Sequence, residues 1–102
     1  MMRGEKREAA LDGAKLVKNS GRGDKKGDAT LTYGDWNFLI DYKHYAKNFG
    51  LKKDAWLKHA KDSWNNNHYS PLIKVVFEDN TSVAIIDWED FQELLRGYDR
   101  AY

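Results

Sequence analysis

Asp41-Tyr42-Lys43 is the stretch of this chain best suited to chemistry. Residues i and i+2 of a strand share a face, so a carboxylate and an amine emerge together from Cα atoms roughly 6 to 7 Å apart, with Tyr42 on the opposite side. If Asp28 lies beside them on a neighbouring strand, two carboxylates and the Tyr42 carbonyl offer hard oxygen ligands to Mg²⁺ or Mn²⁺. Lys43 would then stand next to a metal-bound water. That set suits phosphodiester hydrolysis: the metal polarises the phosphate and acidifies the water, and the ammonium orients that water or offsets developing negative charge. Taken alone, Asp-x-Lys is a weak signal, because any charged, solvent-facing strand edge can supply it.

The elements that must position these residues follow from local patterning. Residues 6–17 read as a helix, with Gly13 the one residue arguing against it. Residues 19–28 break all periodicity and form a basic, glycine-rich loop. Ala29 to Tyr33 and Trp36 to Lys43 are strand-like runs separated by Gly34-Asp35, which suits a tight hairpin turn. Residues 44–50 read as irregular. From about Lys52 to Asn66, the residues Trp56, Leu57, Ala60 and Trp64 mark one face of a helix, with both tryptophans as core or dimer contacts. Pro71 precedes a nearly continuous apolar run, Leu72 to Phe77, and Ser82 to Ile86 makes a further strand. Asp87 can cap a last helix from about Trp88 to Arg96, with Phe91, Leu94 and Leu95 buried and Gly97 as a stop. The expected fold is one α/β domain over residues 1–102, a mixed central sheet flanked by helices in the order α-β-β-α-β-β-α.

Composition sets the outer bounds. With 102 residues there is room for one core, and the absence of cysteine excludes disulfides, thiolate zinc sites and cysteine nucleophiles. Aromatics at 14% exceed what a disordered chain carries, while the mean hydropathy of −0.83 is too polar for a membrane protein. The sequence therefore predicts no signal peptide, no spanning segment and a cytoplasmic location, the host cytoplasm if the protein is viral. The net charge of +1 hides an asymmetry: residues 1–61 hold 14 Lys and Arg against 8 Asp and Glu, whereas residues 62–102 hold 3 against 8. The basic portion, +6, suits a polyanion. Arg22, Lys25 and Lys26 on the glycine-rich loop are placed to contact phosphates, and Arg7 can extend that track. The three histidines form no metal-ligand spacing and read as structural or surface residues.

In order along the chain stand Glu5, Ser20-Gly21, Lys26-Gly27-Asp28, Asp41-Tyr42-Lys43, Pro71-Leu72-Ile73 and the final helix. This series resembles the PD-(D/E)xK nuclease superfamily, and within it the small Holliday junction resolvases of phages and archaea, over about residues 5–95. The resemblance implies a restriction-endonuclease-like core, with Asp28 and Asp41 as metal ligands and Lys43 as the catalytic lysine. Glu5 becomes the supporting acid, with Glu8 its rival, and Ser20 a contact near the scissile phosphate. It further implies Mg²⁺, replaceable by Mn²⁺, a four-way DNA junction as substrate, and a homodimer. Two departures stand out: Asp41 replaces the more usual glutamate, and Tyr45 replaces a threonine or serine two residues after the lysine. Rival readings are a nuclease of the same fold acting on nicks, flaps or duplex, a catalytically silent DNA-binding module, and an unrelated α/β interaction domain.

Overall fold

The computed structural model describes residues 12–16, 28–45 and 47–100. The elements are β1 (Lys15–Leu16), β2 (Asp28–Tyr33), β3 (Trp36–Tyr45), α1 (Lys53–Asn65), β4 (Ser70–Phe77), β5 (Ser82–Ile86) and α2 (Trp88–Arg100). Their strands form one five-stranded sheet in sequence order, antiparallel except for the parallel pair β3 and β4. A parallel neighbour requires a crossover connection, and α1 supplies it. A mixed sheet with helices is thus the architecture expected, but the order of elements is not.

The expected helix over 6–17 is corrected at its C-terminal end. Gly13 takes φ +70, a left-handed conformation that stops a helix, and Lys15–Leu16 then pairs with Thr30 and Ala29 as a short edge strand. Residues 6–11 and 17 lie outside the described residues. Two helices are present among the described residues, against three expected.

The hairpin forms where the sequence places it. Gly34 occupies the first of the two turn positions at φ +58, which a type II′ turn demands, and Tyr33 faces Trp36 across it. β3 is longer than the pattern suggested and runs two residues past Lys43, because β4 continues to pair with it as far as Tyr45–Phe77. Asp87 caps α2 as expected, its Oδ1 accepting the backbone N–H of Glu89 at 2.9 Å and of Asp90 at 3.2 Å. The helix nevertheless passes through Gly97 to Arg100. Gly lowers helix propensity without forbidding the helical conformation, and no proline follows to stop it.

Alternation along β3 divides the molecule into two faces. Phe38, Ile40 and Tyr42 join Ala29 in a buried cluster, against which Ala14, Leu31, Leu72, Ile86 and Leu94 of α2 pack. Leu39, Asp41 and Lys43 belong to the other face, which α1 covers in part. There the expected apolar stripe of α1 faces the sheet only in part: Trp56 and Ala60 are half-buried and Leu57 and Trp64 are 51% and 60% exposed, while His59 and Ser63 are buried. The His59 ring lies within hydrogen-bond distance of two strand carbonyls, and the Ser63 hydroxyl donates to the His59 carbonyl at 2.7 Å, so a polar stripe can be buried without loss of hydrogen bonds. Trp64 stacks on His68 outside the core, ring centroids 4.0 Å apart. On α2, similarly, Leu94 reaches the core while Phe91 and Leu95 stay exposed.

Candidate functional site

The strand period delivers the first part of the expected site. Asp41 and Lys43 lie on one face of β3, and the Lys43 ammonium is 3.1 Å from Asp41 Oδ2. Both side chains are partly exposed, so the pair contributes little to stability, about 0 to 1 kcal/mol. Its significance is chemical: a carboxylate and a cation are held together where solvent and a ligand can reach them.

Register sets the backbone position of Asp28. In the β2–β3 ladder Asp28 is paired directly with Asp41, so the two residues occupy opposing positions on the same face of the sheet. The hairpin enforces this: with the turn fixed at Gly34-Asp35, every step back along β2 matches one step forward along β3 until Asp28 meets Asp41. Carboxylates are the donors that hard divalent cations prefer, and the backbone register puts two aspartates at opposing positions. Among the described residues no three His, Asp or Glu gather around one point. Glu5, the expected third acid, and its rival Glu8 lie outside the described residues, as do Ser20, Arg22, Lys25, Lys26 and Arg7.

A recess of about 300 Å³ opens beside the pair, between β3 and α1, lined by Asp41, Lys43, Tyr45, Phe49, Lys52 and His59 among others. His59 is its buried wall. Its Nε2 lies 3.1 Å from the Leu39 carbonyl oxygen and 3.0 Å from that of Leu72. Both partners can only accept, so Nε2 carries the proton and donates to the two strands at once. The imidazole thereby ties α1 to β3 and β4, one on each side of the parallel seam. That matches the structural role expected of the histidine, with its place beside the recess as the added finding.

Tyr42, between Asp41 and Lys43 in sequence, points the opposite way, as the strand period requires. It is 5% exposed, and its hydroxyl donates to Asp12 Oδ2 at 3.0 Å. Lys74, the β4 partner of Tyr42 in register, donates to both Asp12 carboxylate oxygens at 2.9 and 3.1 Å. The segment that carries Asp41 and Lys43 is therefore pinned from behind by a carboxylate, a phenol and an ammonium. Sequence reasoning missed this cluster, since Asp12 and Lys74 are 62 positions apart and nothing local connects them. A weak signal was available in Lys74, the one charged residue in an otherwise apolar strand.

No family model matches the chain, and no curated protein shows significant similarity to it.

Proposed function

We propose that the protein is a metal-dependent DNA endonuclease of the restriction-endonuclease-like kind, acting as a homodimer on four-way or otherwise branched junctions. The observation that carries this reading is the pairing of Asp28 with Asp41 across the hairpin, with Lys43 held against Asp41 on the same face. Two acids and a lysine at one point of a sheet are what metal-assisted phosphodiester hydrolysis requires.

The reaction is in-line attack of water on phosphorus, which breaks one P–O ester bond and leaves a hydroxyl end and a phosphate monoester end. When bound, Mg²⁺ would supply Lewis acidity toward the phosphate and toward the attacking water. Asp28 and Asp41, with Glu5 as the supporting acid and the Tyr42 carbonyl as a further oxygen, are the groups that would hold it. The Lys43 ammonium adds a fixed positive charge where negative charge grows on the phosphate oxygens. The basic portion of the chain, Arg7, Arg22, Lys25 and Lys26 included, supplies contacts to the DNA backbone, which give affinity without reading sequence. Ser20 contacts the region of the scissile phosphate. A cytoplasmic protein is part of this reading; no helix among the described residues is long and apolar enough to cross a membrane.

Labelled four-way junction, flap and linear duplex, incubated with Mg²⁺, Mn²⁺ or chelator, test the proposal beside Asp28→Asn and Lys43→Ala. Paired, symmetric junction cuts that need the metal and vanish in both variants are the expected result. Equal cutting of plain duplex would replace the junction enzyme by a general nuclease, and binding without cleavage under either metal would make the chain a silent DNA-binding module.

A further inference from the structure

We infer that the recess between the end of β3 and the start of α1 is a seat for one unpaired nucleobase, beside the phosphate that is cut. The inference rests on the nuclease reading of Asp41 and Lys43, and it specifies that reading: the substrate must present a nucleotide whose pairing is absent or easily broken, as it is next to a branch point. The recess begins at Asp41 and Lys43 and ends at Tyr45, Phe49, Leu51 and Lys52. Tyr45 is two residues beyond Lys43 on the same face of β3, so its ring is about 7 Å further along the strand. It is 41% exposed and leans on Phe49, with centroids 5.1 Å apart and planes tilted by 54°.

Three features single out a nucleobase. The Tyr45–Phe49 pair offers aromatic surface, on which any base can stack because every base has a π face. At about 300 Å³ the recess is at the small end of ligand sites, sufficient for a single base and too small for a stacked base pair. Its mixed charge is suited to a strand passing the metal-binding acids. Lys43 is engaged with Asp41 and Lys58 with Asp62 at 3.6 Å, and Lys52 stands exposed at the rim, where a flanking phosphate would pass. A base enters such a seat only by leaving its stack, which is least costly where pairing is already broken. Selectivity for branch points would then reside partly in each single domain, in addition to the geometry of a dimer.

Photocrosslinking tests this without relying on cleavage. A four-way junction carrying 5-iododeoxyuridine at single positions around the branch is irradiated with the full chain in Ca²⁺, and the crosslinked residue is mapped by mass spectrometry. The expected result is a crosslink to Tyr45 or Phe49 from a position next to the cut, in the junction and not in linear duplex. Tyr45→Ala should weaken junction binding about tenfold, while Tyr45→Phe, which keeps the ring, retains both the crosslink and the affinity. Crosslinks confined to other residues, or equal yields from duplex, overturn the seat. A chain that crosslinks at Tyr45 but never cleaves in Mg²⁺ or Mn²⁺ keeps the seat and loses the nuclease reading; one that cleaves junctions with no crosslink at Tyr45 or Phe49 does the reverse.

Discussion

The two faces of the sheet differ more than their shared strand would suggest. Behind β3, Phe38, Ile40 and Tyr42 are buried with Ala29, and the charges present, Asp12 and Lys74, satisfy each other and the Tyr42 hydroxyl. In front, alternate residues of the same strand put Asp41, Lys43 and Tyr45 beside an open recess, while Leu39, Ile73 and Val75 are buried where α1 covers the sheet with His59 and Ser63 buried and Trp56 and Ala60 half-buried. Both faces thus carry buried apolar residues, and the front face also brings a carboxylate, an amine and an aromatic ring to the edge of a recess. A strand can serve both ends because its period of two separates them completely. Packing behind β3 also holds the backbone from which Asp41 and Lys43 project, so their placement follows from core packing.

Substitutions on each face can break this division. On the proposed nuclease reading, Lys43→Ala should lower the cleavage rate by about 10² to 10³, the usual cost of losing one preorganised charge in an active site, with an almost unchanged melting temperature. Rate assays beside thermal unfolding check it, and a large drop in melting temperature would show that the front face is structural after all. Lys74→Met should act in the opposite sense, with about 2 kcal/mol lost from stability because the Asp12 carboxylate keeps its half-buried place without its cation. Urea titration measures that loss, and adding Asp12→Leu should recover most of it if the pair, and not the lysine stem, is responsible.

Smaller effects belong to the helix on the back face. Asp87→Ala removes the acceptor for two N–H groups at the start of α2 and should cost about 1 kcal/mol without touching activity. Asp90 is held above the ordinary carboxylate range, first by burial and then by the nearby charges of Asp87 and Glu89. Its native form binds a proton more tightly than the unfolded chain does. Ionised Asp90 therefore subtracts stability as pH rises through its raised pKa, and subtracts nothing below the unfolded value of 3.8. Asp90→Asn should accordingly be more stable than the parent at neutral pH by less than about 0.5 kcal/mol. Unfolding curves at neutral and acidic pH should show that advantage fading toward low pH.

Legibility in the sequence followed the range of the interactions. The hairpin at Gly34-Asp35, the shared face of Asp41 and Lys43, the opposite direction of Tyr42 and the cap at Asp87 are effects of one to three residues, and each is present as expected. The ends of β3 and α2 were harder to read, since they depend on how far β4 pairs and on whether a glycine is tolerated within a helix. The buried face of α1 was legible only at Trp56 and Ala60, for a clear reason: hydrophobicity ranks Trp64 and Leu57 above His59 and Ser63, but two strand carbonyls within reach of an imidazole reverse that ranking. The strand at Lys15–Leu16 was read as helix because its composition favours one, and the Gly13 turn together with pairing to β2 prevailed.

Taken by itself, the sequence determined which residues would share a face, because strand period and turn chemistry act over a few bonds. It also determined an α/β fold with a mixed sheet and a charged surface. Only the tertiary structure decided what stands opposite or behind those residues: Asp28 across from Asp41, β4 parallel to β3, His59 bridging that seam, and Lys74 reaching Asp12. These contacts join positions 13 to 62 residues apart. Such contacts exist only once the register of the whole sheet is set, and that register is a property of all the strands packing together.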